Sequence, residues 1–155
     1  MKEIAFAPAD RGDRQDILDL LQAQLDEHGA RVGIARLART VDAVLDQPEL
    51  GFLHVARTRT GVVGVAYVSM VWSLEHAGRS AWLEEIYVDP EHRLQGVGTE
   101  LLHAVVERAR RLGCAAMDLE VDADHARAEG LFERAGYRRL PRARWVRLLD
   151  QPESS

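Results

Sequence analysis

The chain has 155 residues, 46% of them apolar and 29% charged, and a formal net charge of −5. That length suits one domain of ordinary size, and the mixture is that of a folded protein with a real core. The acidic balance argues against global attraction to nucleic acid or an anionic membrane, and a lone cysteine, Cys114, excludes an internal disulfide framework.

The first residues, MKEIAFAPADRGD, hold too short an apolar stretch for a signal-peptide core. Glu3–Ala7 reads as a strand closed by Pro8. Asp13–Leu25 reads as a helix with Ile17, Leu18, Leu20, Leu21 and Leu25 on one broad face. Ile34, Leu37, Ala38, Val41, Val44 and Leu45 recur at spacings of three and four, a second helix over 34–46 stopped by Pro48. Phe52–Arg57 and Val62–Trp72 read as a hairpin around Thr60-Gly61. The run Val62–Trp72 is the longest apolar stretch, about half the ~20 residues that a membrane-spanning helix needs. The expectation is a cytoplasmic protein with no membrane partner.

A third strand of the middle region, Ala81–Val88, ends at Asp89-Pro90. A loop with two glycines leads into a helix over Gly98–Leu112, whose stripe is Val97, Leu101, Leu102, Val105, Val106, Ala109 and Leu112, with Gly113 as its cap. Ala116–Val121 reads as a buried strand and Asp124–Ala135 as a helix between Asp124 and Gly136. Tyr137–Leu149 reads as one or two closing strands bent at Pro141. The domain is expected to span 1–150, with 151–155 a flexible tail. Consecutive strands mid-chain favour antiparallel pairing, whereas strand–helix–strand from Ala81 to Val121 demands a parallel, right-handed crossover. The expected fold class is α/β (α+β): a mixed, mostly antiparallel central sheet of six or seven strands with helices on both faces.

The segment Leu83–Leu102, LEEIYVDPEHRLQGVGTELL, carries the chemistry. A buried strand delivers the chain to a loop where Gly96 and Gly98 remove side chains at a helix N-terminus. The backbone N–H groups of Gln95–Thr99 lack intrahelical partners there, and the helix dipole stands behind them. Such a place suits a phosphate or pyrophosphate, and Arg93 adds a positive charge beside it. Rival motifs fail on spacing. No Gly-Lys pair exists for a P-loop, and Leu101 stands where a dinucleotide fingerprint needs its third glycine. Asp122, Asp124 and Glu133 mimic a calcium loop, but Ala126 and Arg127 occupy the positions of an oxygen ligand and the turn glycine. No metal is expected.

Arg93-Leu94-Gln95-Gly96-Val97-Gly98 resembles the R/Q-x-x-G-x-G/A signature of the GNAT superfamily of acetyl-CoA-dependent N-acetyltransferases. Downstream, His125–Tyr137 (HARAEGLFERAGY) is similar to that family's N-x-x-A-x-x-L-Y-E-K-x-G-F segment. The resemblance implies acetyl-CoA as co-substrate, its pyrophosphate on the loop Arg93, Leu94, Gln95, Gly96, Val97, Gly98 and Thr99. It also implies a pantetheine arm pairing with the backbone of Ile86, Tyr87 and Val88, where a backbone N–H near Val88 polarises the thioester carbonyl.

Transfer to an amine requires a base, because an ammonium of pKa ~10.4 must first lose its proton. Glu84 and Glu85, in the strand that would hold the thioester, are the candidates. Alternation along a strand allows only one of them into the cleft, with Glu84 preferred. The family's tyrosine is Phe132 here and its usual asparagine is His125. The general acid is therefore left open among His125, Tyr87, Tyr137 and water, and Phe132 is assigned to packing at the thioester end. The two N-terminal helices, together with Trp72, Ser73, Glu75 and His76, are expected to wall the acceptor side, with Trp72 and Trp82 offering aromatic faces. The implied function is acetyl transfer to a primary amine of a small, cationic molecule, with no nucleic acid partner and a possible homodimer. The alternatives are an acyl-CoA-binding sensor or inactive relative, motivated by Phe132, and a protein or peptide N-acetyltransferase.

Overall fold

Five strands, the long middle ones rich in β-branched and aromatic residues, form one sheet in the computed structural model, which describes residues 3–122 and 126–150. They are β1 (Ala5–Pro8), β2 (Gly51–Thr58), β3 (Gly61–Ser73), β4 (Gly78–Val88) and β5 (Ala116–Leu119), arranged in sequence order across the sheet. The first four pair antiparallel, whereas β5 runs parallel to β4. The parallel step follows from the crossover through α3 (Val97–Arg111), as the sequence pattern requires.

The helices take both faces of the sheet. Between β1 and α1 (Arg14–Glu27) a single helical turn is closed by reciprocal caps: Asp10 accepts from the Gly12 N–H, and Asp13 accepts from the Asp10 N–H at 2.9 Å. Arg57 of β2 donates to both oxygens of Asp13, at 3.0 and 2.5 Å, and holds that carboxyl below its ordinary range. On the same face Ile17, Leu18 and Leu20 of α1 and Val41 of α2 (Ile34–Asp46) pack on Leu53, Val55, Val62, Val65 and Tyr87. The opposite face is covered by α3. Its Leu101, Leu102 and Val105 are fully buried, and Val97 packs with Ala56 and Val63. Gly64 fits beneath Leu101; a Cβ there would stand 3.3 Å from the Ala56 Cβ and 3.6 Å from a Leu101 methyl.

The chain divides into two compact units, Met1–Asp122 and Ala123–Ser155. In the second, α4 (Ala126–Arg134) is closed by Gly136 at φ 95°, and the Tyr137 N–H returns to the Phe132 carbonyl at 3.0 Å. The expected closing strands over Tyr137–Leu149 are not formed, so the sheet has five strands and not six or seven. Pro141 lacks an N–H for a ladder, and five arginines between positions 138 and 147 interrupt the apolar residues of the segment. Trp145, Val146, Leu148 and Leu149 are exposed. The expected tail 151–155 lies outside the described residues.

Candidate active site

The glycine loop has the geometry that its sequence suggests. Leu94 and Gly96 both adopt left-handed backbone, φ 62° and 80°, and the Leu94 side chain is fully exposed. Gly96 precedes α3, and the first helical bond, from the Glu100 N–H to the Gly96 carbonyl, spans 3.0 Å. The N–H groups of Val97, Gly98 and Thr99 therefore have no acceptor within the helix. A Cβ on Gly96 would meet nothing within 4 Å, and one on Gly98 only a Val88 methyl at 3.8 Å. The space over these donors is open, wide enough for an anion to reach the backbone. Arg93 does not face it as a free charge. Its Nε donates to the Val88 carbonyl at 2.9 Å, its Nη2 to Glu27 at 3.0 Å, and its guanidinium lies 5.2 Å from the Tyr87 ring centre.

The carboxylates sit on β4, where the strand is irregular. Tyr67 of β3 faces Glu85 and Val68 faces Leu83, so Glu84 is the extra residue of a β-bulge. Tyr67 packs against the core on the α1 side, as does Tyr87. Glu85, opposite Tyr67, shares that side, and Glu84 reaches the Ser69 hydroxyl, which donates to it at 3.1 Å. Ser69 stands two residues beyond Tyr67 and points the same way. Both carboxylates therefore lie on the α1 side of the sheet. Simple alternation would have admitted only one, and the bulge overrides it.

These residues also lie where the sheet opens. β5 pairs with β4 only over Ser80–Leu83, and among the described residues β4 from Glu84 to Val88 has β3 alone as a ladder partner. The Glu85 carboxyl is open to water but set among enough protein that desolvation raises its pKa above the ordinary carboxylate value. The Gln24 amide, donating to Oε2 at 2.6 Å, acts in the opposite sense. Tyr87 donates its phenol proton to Glu27 at 2.8 Å, and burial followed by that carboxylate raises its pKa. The same bond, together with the hydrogen bond and charge of Arg93, holds Glu27 below its usual range. Tyr87 also borders a hollow of about 310 Å³ lined by Asp16, Asp19, Leu20, Ala23, Val62, Asp89 and Pro90.

Other expected residues are placed elsewhere. His125 lies outside the described residues, as do the side chains next to it. Phe132 belongs to the second unit, where its ring meets Tyr137 edge-on at 5.8 Å. Trp72 sits at the far end of the β3–β4 hairpin opposite Arg79, with most of its surface exposed. Glu85 stands six positions beyond Arg79 on β4, about 20 Å of strand, too far for one small acceptor to touch both ends. His76 bonds Asp118 at 3.0 Å and Ser73 caps the His76 N–H, so both serve the hairpin end. Among the described residues no three His, Cys, Asp or Glu side chains gather as a metal site requires. No described helix is long and apolar enough to cross a membrane.

Gln24, Glu27 and Ser69 were not among the expected residues. A signal exists for the first two. Positions 17, 20, 24 and 27 continue one helical stripe, so Gln24 and Glu27 are polar residues set where the pattern calls for apolar ones. Nothing local marks Ser69.

Residues 15–137 match the acetyltransferase (GNAT) family. The chain is 29% identical over 155 residues to the thialysine N-epsilon-acetyltransferase of Sus scrofa, covering 92% of this chain and 89% of that protein. It is 30% identical over 122 residues to the aminoalkylphosphonate N-acetyltransferase of Salmonella typhimurium, with 79% of this chain and 74% of that protein covered. A solved aminoglycoside N-acetyltransferase in complex with CoA has the same fold, with a TM-score of 0.80 at 16% identity over 97% of each chain. With its glycine loop at the mouth of α3 and this extent of likeness, the chain belongs to the GNAT family and is an acetyl-CoA-dependent N-acetyltransferase.

Proposed function

We propose that the protein transfers the acetyl group of acetyl-CoA directly to a primary amine of a small cationic molecule, with Glu85 as the base. The observation that carries this reading is the β4 bulge, which gathers Glu84 and Glu85 on the α1 side where β4 loses its β5 partner. The names of the two relatives, one for thialysine and one for an aminoalkylphosphonate, agree with a small amine as acceptor.

Bound acetyl-CoA supplies an activated acyl group with a thiolate as leaving group. The N–H groups of Gln95, Gly96, Val97, Gly98 and Thr99 would hold its diphosphate, aided by the α3 dipole. The free β4 edge at Ile86, Tyr87 and Val88 would take the pantetheine arm. Glu84 and Glu85 draw the acceptor in as an ammonium. Glu85 then takes its proton, directly or through a water, and the neutral amine attacks. Desolvation raises the Glu85 carboxyl, and the buried Gln24 amide holds it in one place, which favours Glu85 as the base. Tyr87 remains a candidate acid, although its proton is directed at Glu27. A thiolate of pKa ~8.5 also leaves without a dedicated acid.

The test is thiol release from acetyl-CoA across a panel holding a lysine-like amino acid, a diamine, an aminoalkylphosphonate and an N-terminal peptide. Turnover with a small cationic amine is expected, and Glu85→Gln should lower kcat/KM by about 10²–10⁴ with CoA affinity intact. An undiminished rate in Glu85→Gln removes the base assignment. CoA binding with turnover on the peptide alone, or on none of these amines, removes the small cationic amine as acceptor.

A further inference from the structure

On the α1 side of β4, two polar side chains one helical turn apart reach two strand residues two positions apart. Gln24 donates to Glu85, and Glu27 accepts from Tyr87. The spacing matches because i and i+3 on a helix, like i and i+2 on a strand, share one face. Gln24 is itself buried, unlike an ordinary polar residue of a helix surface. Its amide lies 2.6 Å from Glu85 Oε2, closer than the 2.8 Å of the Tyr87–Glu27 bond.

We propose that Gln24 is a positioning residue for acetyl transfer, its side-chain amide fixing the Glu85 carboxylate in the orientation from which it takes the acceptor's proton. This rests on the reading of Glu85 as the base. A buried amide in place of water gives the carboxylate one fixed donor, so one oxygen is committed and the rotamer is set. The amide also offsets part of the desolvation that raises the Glu85 carboxyl. The other charged groups bearing on Glu85 are Glu84 beside it and Asp122 after β5, which oppose its ionisation, and His28 after α1, which favours it. Tyr67 faces it from β3. Of all these groups, Gln24 is the neutral one that donates to the carboxylate in the described contacts, so removing it changes orientation and ionisation without altering the charge count.

The experiment pairs Gln24→Leu with Gln24→Lys in the full chain. It records kcat/KM against pH on the best amine of the panel, together with a carbon-detected NMR titration of the Glu85 carboxyl, assigned through Glu85→Gln. Leucine removes the donor at similar volume and should raise the Glu85 pKa and the acid limb by about one pH unit. That is a tenfold loss of kcat/KM below the limb from the shifted ionisation, on top of a lowered plateau from the lost orientation. Lysine substitutes a charged donor and should move both in the opposite direction. A purely structural role would lower thermal stability and the plateau and leave the limb where it was. An unchanged Glu85 titration in both variants overturns the inference. A titration that moves while the rate profile does not preserves the Gln24–Glu85 link but removes Glu85 as the base, and positioning for transfer fails with it.

Discussion

His54 is buried in β2 with Arg108 of α3 at 3.3 Å from its Nδ1, and that guanidinium lies 4.1 Å from the Phe52 ring centre. Burial, reinforced by the neighbouring cation, pushes the imidazole down to about 4. A histidine depressed in the folded state takes up a proton more readily when unfolded. Stability linked to it is complete above the unfolded pKa of about 6.5 and declines as pH falls toward about 4. The loss is on the order of 3 kcal/mol across that window. Urea unfolding of the parent and of His54→Gln from pH 7 to pH 4 should show the parent's extra acid lability disappear in the variant. The opposite logic governs Glu85. Its folded carboxyl is raised, so the group lowers stability as pH rises through its titration, a cost consistent with a base kept for chemistry.

Elements set how close a ligand comes to the backbone. Gly96 occupies left-handed backbone with open space beyond its Cα, so a Cβ there meets nothing within 4 Å. Gly96→Val should therefore cost about 1–2 kcal/mol of stability through backbone strain. Its side chain would fill the space over the α3 donors, and CoA affinity should fall at least tenfold by calorimetry. A variant that binds CoA like the parent would remove the diphosphate from this loop. The β4 bulge is the second element that matters. An extra residue against β3 turns an alternating Glu-Glu pair into two carboxylates on one side. The sequence EE announces two acids but not their side, because a bulge is a property of two strands in register and β4 supplies only one of them.

At the scale of the whole molecule, α1 and α2 cover one face of the first unit's sheet and α3 the other, and the sheet parts at β4 and β5. In the proposed placement, CoA bound across that opening would touch β4 and the N-terminus of α3, and its binding energy would add to the unit's stability. At one hundred times its Kd, CoA should stabilise the fold by about 2.7 kcal/mol. For a chain of this size that raises Tm by about 5–10 °C, measurable by scanning calorimetry. Free adenosine, which lacks the diphosphate, should give a much smaller shift. An equal shift with adenosine would show that the diphosphate contributes little.

The amino-acid sequence by itself determined the helices α1, α2 and α3, the strand–helix–strand crossover and the glycine loop, since each depends on periodicity or on consecutive backbone donors. Arg93 to Thr99 can be read as an anion cradle because the N–H groups belong to neighbouring residues. Tertiary structure decided what distant parts of the chain do to one another. Gln24 meets Glu85 across 61 residues, and Tyr87 meets Glu27 across 60. Arg93, which reads locally as a phosphate ligand, is occupied by Glu27 and the Val88 carbonyl. The C-terminal segment shows the same division. Its alternation suggested strands, but a strand exists only where another backbone offers a ladder and a core receives its apolar side, and neither condition is written in the segment itself.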